Sequence, residues 1–79
     1  MERAVIRIVR RLSPGFARTP ITRKTRLHTD LGWDEWYPLR VVRPVRQTLH
    51  ESIDDRTALA LKTVGDLVAC VWDAMEVPA

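Results

Sequence analysis

Apolar residues recur at helical spacing in three stretches of the chain, and each stretch predicts an amphipathic helix. These predicted helices cover residues 2–12, about 35–50, and a last stretch beginning after Thr63. Their predicted inner stripes are Val5, Ile8, Val9 and Leu12; Leu39, Val42, Val45 and Leu49; and Val64, Leu67, Val68, Val71 and Met75. With a short helix or turn over residues 55–61, the pattern predicts an all-α fold. We expect a small bundle of three main helices plus one short helix, in one domain over residues 1–79.

Turn and capping residues separate the predicted helices. Ser13-Pro14-Gly15 ends the first helix, and a long loop follows to residue 33. Thr63, with Asp66 three residues later, predicts a capping box at the last helix. The apolar loop residues expected to anchor the loop to the helices are Phe16, Ile21, Leu27 and Leu31.

The predicted second helix contains two prolines after a candidate N-cap, Asp34. Pro38 falls in the first turn, where a missing N–H costs little. Pro44 falls near the middle, where proline costs about 3 kcal/mol. Because the apolar stripe continues past Pro44, we expect a kinked helix and not a broken one.

The outward face predicted for this second helix has the composition of a contact surface. It carries Trp36, Arg40, Arg43 and Gln47 at helical spacing. Exposed tryptophan and arginine are enriched at protein interfaces, so these four residues are the candidate partner-binding set. Alternatively, Trp36 folds back over Arg40 in a cation–π pair. Of the flanking Trp33 and Tyr37, one is expected to pack on the loop.

The residues that begin this helix resemble a family signature. Asp30-Leu31-Gly32-x-Asp34-x-x is similar to the Asp-Leu-Gly-x-Asp-Ser-Leu signature of acyl carrier proteins. Three further motifs resemble that family in the same order: Ile21-Thr22-x-x-Thr25-x-Leu27, the turn from Leu49 through Asp55, and Thr63-Val64-Gly65-Asp66-Leu67-Val68. The resemblance covers roughly residues 5–75 and implies an acyl-carrier-type bundle.

One departure from the family decides what function the resemblance implies. Where the family has the serine that carries the phosphopantetheine arm, this chain has Glu35, between Asp34 and Trp36. A carboxylate would form a readily hydrolysed mixed anhydride with phosphate, so we expect no arm, no other cofactor and no enzymatic activity. Trp36 takes the place of the family's leucine that contacts partner enzymes. The resemblance thus implies a non-catalytic docking or regulatory module, with an enzyme of lipid or polyketide metabolism as one partner class. A less favoured interpretation is a working carrier modified at another residue.

Charge is distributed unevenly along the chain, whose net charge is +3. Residues 1–29 hold eight basic residues and one acidic residue, whereas residues 30–79 hold five basic and nine acidic residues. Acyl carrier proteins are typically acidic, so this basic half departs from the family and favours a partner with an acidic surface. The alternative function is a small basic nucleic-acid-binding module. Its candidate residues are Arg3, Arg7, Arg10, Arg11, Arg23, Lys24 and Arg26.

The predicted first helix is amphipathic and rich in arginine. This pattern fits a core helix with a solvated basic face, which we favour because the bundle needs it to close its core. It also fits an organellar transit peptide or a helix lying on a membrane surface. No apolar run approaches the roughly 20 residues that span a bilayer, and the chain has one cysteine. We therefore expect a cytoplasmic protein without a transmembrane segment.

No catalytic or metal-binding pattern is visible in the sequence. His28 and His50 lack ligand spacing, and Cys70 has no second cysteine, so we predict surface histidines and a half-buried structural thiol. Acidic residues 30, 34 and 35 cluster where the second helix begins. Carboxylates are favoured at the positive end of a helix dipole, so a structural role is preferred over acid–base chemistry.

Overall fold

The structure, a computed structural model, describes residues 1–16 and 18–75. Its α-helices are α1 (Glu2–Arg11), α2 (Val42–Leu49), α3 (Asp55–Leu59) and α4 (Val64–Met75). Two 3-10 helices, Pro14–Phe16 and Tyr37–Val41, lie between α1 and α2. Within the described residues there is no β-strand, only an isolated antiparallel bridge between Arg26 and Thr63. The predicted all-α class is therefore confirmed.

The core forms where α1 packs against both α2 and α4, while the 3-10 helix Tyr37–Val41 packs against α3. The buried apolar residues are Val5, Ile8, Val9, Ile21, Leu27, Leu31, Trp33, Val41, Val45, Ile53, Ala58, Leu61, Val64, Leu67, Val68 and Val71. Leu12, Leu39, Val42 and Leu49 are half-buried against this core, but Met75 is exposed. Placing Met75 on the inner stripe was therefore wrong, since this last residue of α4 is exposed.

The apolar face of α1 is part of this core, and Val5 and Val9 are fully buried there. Its exposed residues are the arginines at positions 3, 7 and 11. This arrangement agrees with the core-helix interpretation of the basic amphipathic pattern. No helix in the described ranges is long and apolar enough to cross a membrane.

The long loop is held down by aromatic side chains as well as by its predicted anchors. Trp33 is buried, and its indole Nε1–H donates a hydrogen bond to Ser13 Oγ at 2.8 Å. Tyr37 lies against Trp33, with ring centroids 5.0 Å apart, and its hydroxyl donates to the carbonyl oxygen of Leu12. Both aromatic residues therefore pack on the start of the loop, where one was expected. Ile21, Leu27 and Leu31 are buried and Phe16 is half-buried, as predicted.

The predicted second helix is two helical segments. The 3-10 helix Tyr37–Val41 has a proline in its first turn, as predicted for Pro38. The α-helix then begins at Val42, so Pro44 is its third residue. Proline is tolerated in the first turn of an α-helix, and Pro44 lies in that turn. It lies just after the junction of two helical segments that follow one another without a break, and not inside one regular α-helix as predicted.

Helix α4 begins with the predicted capping box. The Asp66 N–H donates to Thr63 Oγ1 at 3.1 Å, and Asp66 Oδ2 accepts from the N–H groups of Thr63 at 3.1 Å and Lys62 at 3.0 Å. The preceding loop bonds the next two free donors, since the N–H groups of Val64 and Gly65 donate to the carbonyls of residues 25 and 23 at 2.9 and 2.8 Å. These bonds hold the loop and the start of α4 together.

Candidate functional site

The four residues predicted to face a partner are all exposed in the structure. We call them the Trp36 face: Trp36, Arg40, Arg43 and Gln47. Trp36 immediately precedes the 3-10 helix Tyr37–Val41 and has 63% of its surface exposed, more than the exposed Trp72 on α4 at 52%. Exposed tryptophan and arginine are enriched at protein interfaces, so Trp36 is the candidate contact residue of this face.

The backbone that presents Trp36 is fixed from both sides. Asp34 Oδ1 accepts hydrogen bonds from the N–H groups of Trp36 at 2.9 Å and Tyr37 at 2.7 Å. The next side chain, Tyr37, packs against buried Trp33. Trp36 therefore projects from a turn whose backbone is already constrained. Less conformational entropy is then lost when a partner binds.

Arg40 makes its cation–π contact with Tyr37 and not with Trp36. Its guanidinium carbon lies 5.1 Å from the centroid of the Tyr37 ring. The predicted alternative, in which Trp36 folds over Arg40, was therefore wrong. The reason is that the 3-10 helix begins at Tyr37, where the hydrogen-bonded turn places that ring beside Arg40 and leaves the Trp36 indole exposed.

The carboxylates near this face hold the backbone. Asp34 bonds the turn described above, and Asp30 Oδ2 accepts from the N–H of Arg26 at 2.8 Å. Glu35 is also exposed. The roles observed for Asp30 and Asp34 are structural, in line with the preference stated from the sequence. The structure therefore gives no geometric reason to assign acid–base chemistry to these three residues.

The basic residues of the N-terminal part are separated into two grooves. Arg7 and Arg11 line a groove of about 250 Å³ with Thr48 of α2. Lys24 and Arg26 line another of about 490 Å³. Two further candidates for nucleic-acid contact have partners inside the fold: Arg23 forms an ion pair with Glu2, and Arg10 Nη1 donates to the carbonyl of Thr19 at 3.3 Å. The residues Arg3, Arg7, Arg10, Arg11, Arg23, Lys24 and Arg26 thus do not converge on one groove.

Sequence reasoning did not place Lys62 beside these basic loop residues. In the structure it lines the 490 Å³ groove together with Lys24 and Arg26. The connection is the bridge between Arg26 and Thr63, which no local pattern predicts because the two residues are far apart in the chain. Lys24, Arg26 and His28 are polar in the sequence, but this local pattern does not identify Lys62 as their neighbour.

Cys70 has the surroundings of a structural thiol. It is half-buried, and burial, followed by the negative charges of Asp73 and Asp54, raises the pKa of its thiol. A thiol of this kind is protonated at neutral pH and reacts slowly.

The two histidines make separate local contacts. His50 ends α2 in the left-handed conformation, with a φ of 58°. His28 Nδ1 lies 2.9 Å from the carbonyl oxygen of Trp33. Among the described residues, no group of three or more histidine, cysteine or acidic side chains could hold a metal ion.

Comparison of the chain with protein-family models, with curated proteins and with solved structures found no match. The similarity of the four short motifs to acyl carrier proteins therefore stays a prediction from the sequence.

Proposed function

We propose that this protein is a non-catalytic docking module whose Trp36 face binds an acidic surface on a partner protein. The observation that carries the proposal is the 63% exposure of Trp36 on a turn fixed by Asp34. Binding would bury this indole near the centre of the contact, where tryptophan contributes most to affinity. The motif resemblance agrees with this role, because Trp36 stands where carrier proteins contact their partner enzymes. Glu35 in place of the serine excludes carriage of an arm at that position.

The positive charge of the Trp36 face indicates what kind of partner surface it would bind. Arg40 and Arg43 have no ion-pair partner within the described part of the chain, and both are exposed. The next arginine, Arg46, is exposed as well. A carboxylate-rich surface would complement these guanidinium groups and would speed association at low salt. The partner class that fits the face is therefore an acidic protein, of which an enzyme of lipid or polyketide assembly is the example that the resemblance suggests.

The experiment compares two exposed tryptophans. The partner is first isolated from the native cell, and its affinity is then measured for the wild type, Trp36→Ala and Trp72→Ala. We expect Trp36→Ala to weaken binding by roughly thirtyfold, equivalent to about 2 kcal/mol, because it truncates the central anchor. Trp72→Ala removes a similar exposed area on α4 and should change affinity less than about twofold. Equal losses in the two variants would contradict the proposal.

A basic nucleic-acid-binding module is the second candidate, favoured by the exposed arginines of α1. Arg7 and Arg11 flank the 250 Å³ groove and lie one helical turn apart. This candidate predicts tight binding to generic DNA or RNA that falls steeply with salt. It also predicts that an Arg7/Arg11 double alanine variant loses binding while Trp36→Ala retains it. That outcome would replace the docking proposal.

A further inference from the structure

A groove beside the start of α4 is lined by basic residues, and it shares no lining residue with the Trp36 face. Its volume is about 490 Å³, within the usual range for small-molecule sites. The lining residues are Lys24, Arg26, His28, Thr29, Lys62 and Thr63. Three of these residues carry a permanent positive charge at neutral pH, two offer hydroxyl groups, and none is acidic.

Local backbone geometry places three of these side chains on one side of the loop. Thr25 and Leu27 are buried, whereas the residues between and beside them, Lys24, Arg26 and His28, are exposed. Turns at residues 23–24 and 27–30 flank the bridged residue Arg26, and all three exposed residues line the groove. Burial of Leu27 in the core thereby fixes the outward direction of its basic neighbours.

Backbone hydrogen bonds join this loop to the segment that carries Lys62. The N–H of Leu27 donates to the Lys62 carbonyl at 2.9 Å, and the N–H of Val64 donates to the Thr25 carbonyl at 2.9 Å. Between these bonds lies the Arg26–Thr63 bridge. The two cationic walls of the groove are therefore held together without a ligand, and this preorganisation lowers the entropic cost of binding.

The positive charges of the groove lack internal partners. Lys24, Arg26 and Lys62 are all exposed, and none of them has an ion-pair partner in the ranges that the structure describes. The nearest acids along the chain are Asp30 and Asp66, whose carboxylates accept backbone N–H groups of residues 26, 62 and 63. They moderate the field but do not line the groove. Three like charges held together repel one another, and a bound anion would relieve that repulsion.

His28 adds a polarised ring to the lining. Its Nδ1 lies 2.9 Å from the Trp33 carbonyl, which can only accept a hydrogen bond, so Nδ1 carries the hydrogen. The ring is therefore oriented by the backbone. Its remaining nitrogen, Nε2, is an acceptor in the neutral ring and a donor in the protonated ring.

We propose that this groove binds a small ligand bearing a phosphate or pyrophosphate group. Ammonium, guanidinium and hydroxyl donors are the groups that bind phosphate oxygens in proteins. The aliphatic stems of the lysine and arginine residues offer apolar contact to an organic portion. The first backbone N–H groups of α4 donate hydrogen bonds to the loop and are not available to a ligand. Recognition of the phosphate therefore depends on side chains. The proposal is independent of the Trp36 face.

The test titrates the full chain with pyrophosphate, with ATP and with adenosine, by calorimetry and by mapping of backbone amide NMR shifts. We expect pyrophosphate and ATP to shift residues 24–29 and 62–63, and adenosine to leave them unchanged. Equal affinity for pyrophosphate and ATP identifies the phosphate alone as the recognised group. Tighter binding of ATP identifies an organic phosphate. Binding of adenosine at this groove as tight as that of ATP would overturn the proposal.

A pair of charge variants separates a built site from diffuse attraction. Lys62→Gln removes one positive charge from the groove, and Arg56→Gln removes one from the exposed surface of α3. We expect Lys62→Gln to weaken pyrophosphate binding about tenfold, and Arg56→Gln to weaken it less than about twofold. Thermal melting confirms that both variants remain folded. Equal weakening in both variants, no binding of either phosphate probe at millimolar concentration, or much tighter binding of an RNA oligonucleotide through Lys62 would each overturn the proposal.

Discussion

Helices α3 and α4 begin very differently from the segment that contains α2. At α3, Asp54 Oδ1 accepts the N–H of Thr57 at 2.7 Å, and at α4 Thr63 and Asp66 form a reciprocal capping box. The 3-10 helix Tyr37–Val41 instead follows a turn in which Asp34 Oδ1 accepts the N–H groups of Trp36 and Tyr37, and neither its own N-cap residue nor that of α2 makes a side-chain hydrogen bond. Both of these segments instead have a proline near their start.

This difference indicates that the starts of α3 and α4 serve the stability of the fold. The starts of α3 and α4 follow the local rules of helix formation, so their sequence and structure agree. The stretch from residue 36 to residue 49 departs from those rules and exposes Trp36. Proteins tend to break local rules where function requires it. This comparison agrees with the docking role proposed for the Trp36 face and with a structural role for the caps.

The largest effect on stability is expected at Gly65, where α4 meets the loop. A Cβ at this position would lie 2.9 Å from the carbonyl oxygen of Arg23, which is a backbone atom and cannot rotate away. Overpacking costs about 1–3 kcal/mol, whereas alanine gains at most about 1 kcal/mol in helix propensity. Gly65→Ala should therefore lower the free energy of unfolding by about 1–2 kcal/mol in urea denaturation.

Gly15→Ala is the matched control for this prediction. A Cβ at Gly15 would meet nothing within 4 Å, so we expect a change of less than about 0.5 kcal/mol. If Gly65→Ala proved as stable as the control, the close contact between α4 and the loop would be less important than the comparison requires.

The sequence predicted the capped helices better than the segment that contains α2. The bounds of α1, the burial of Leu27 and the Thr63–Asp66 capping box could be predicted because each depends on periodicity or on residues three apart. The boundary between the 3-10 helix and α2 could not, because periodicity does not distinguish a kinked helix from two joined segments. Tertiary contacts instead fix where the 3-10 helix begins: Tyr37 packs on Trp33 and its hydroxyl donates to the Leu12 carbonyl.

The candidate sites were predictable to different degrees. Exposure of the Trp36 face followed from helical spacing, since all its members lie on one sequence segment. The groove lined by Lys24, Arg26 and Lys62 could not be predicted, because it depends on bringing Lys62 against the loop through bonds between residues more than thirty positions apart. The partner of Arg40 was also missed, because in a 3-10 helix the neighbour one turn earlier is three residues back, Tyr37, and not four residues back, Trp36.

Removing the α4 cap should produce the next largest effect. Asp66→Ala deletes an acceptor of two backbone N–H groups, and the loss of such a cap costs about 1 kcal/mol. Asp73→Ala is the control, because an exposed carboxylate in the last turns of a helix opposes the helix dipole and its removal is neutral or slightly stabilising. Chemical denaturation of the two variants measures the difference. A smaller loss in Asp66→Ala than in Asp73→Ala would contradict the importance of the capped start.

The cap of α3 should make stability depend on pH. Hydrogen bonds from Thr57, followed by the charge of Arg56, lower the pKa of Asp54. A carboxyl whose pKa is lower in the folded state stabilises the fold above its unfolded pKa. That contribution is lost as pH falls through the folded pKa. Melting temperatures from about pH 6 to about pH 2 should therefore fall more steeply for the wild type than for Asp54→Asn, which retains a capping acceptor without the charge. Parallel curves would show that the Asp54 charge does not contribute.

The smallest change in the free energy of unfolding is expected for Pro44→Ala, and it tests whether Pro44 interrupts a single α-helix. In a mid-helix position, replacement of proline by alanine would raise the free energy of unfolding by about 3 kcal/mol. Pro44 instead lies in the first turn of α2, directly after the 3-10 helix, where proline is tolerated, so we expect that gain to be absent. The unfolded chain also becomes more flexible when proline is removed, which costs about 0.4–1 kcal/mol. Pro44→Ala should therefore change stability by less than about 1 kcal/mol in either direction, comparable to Pro20→Ala in the exposed loop.

Urea denaturation with circular dichroism measures both variants. A gain near 3 kcal/mol with added helix content would mean that residues 37–49 form one kinked α-helix, and the contrast with the capped helices would no longer hold.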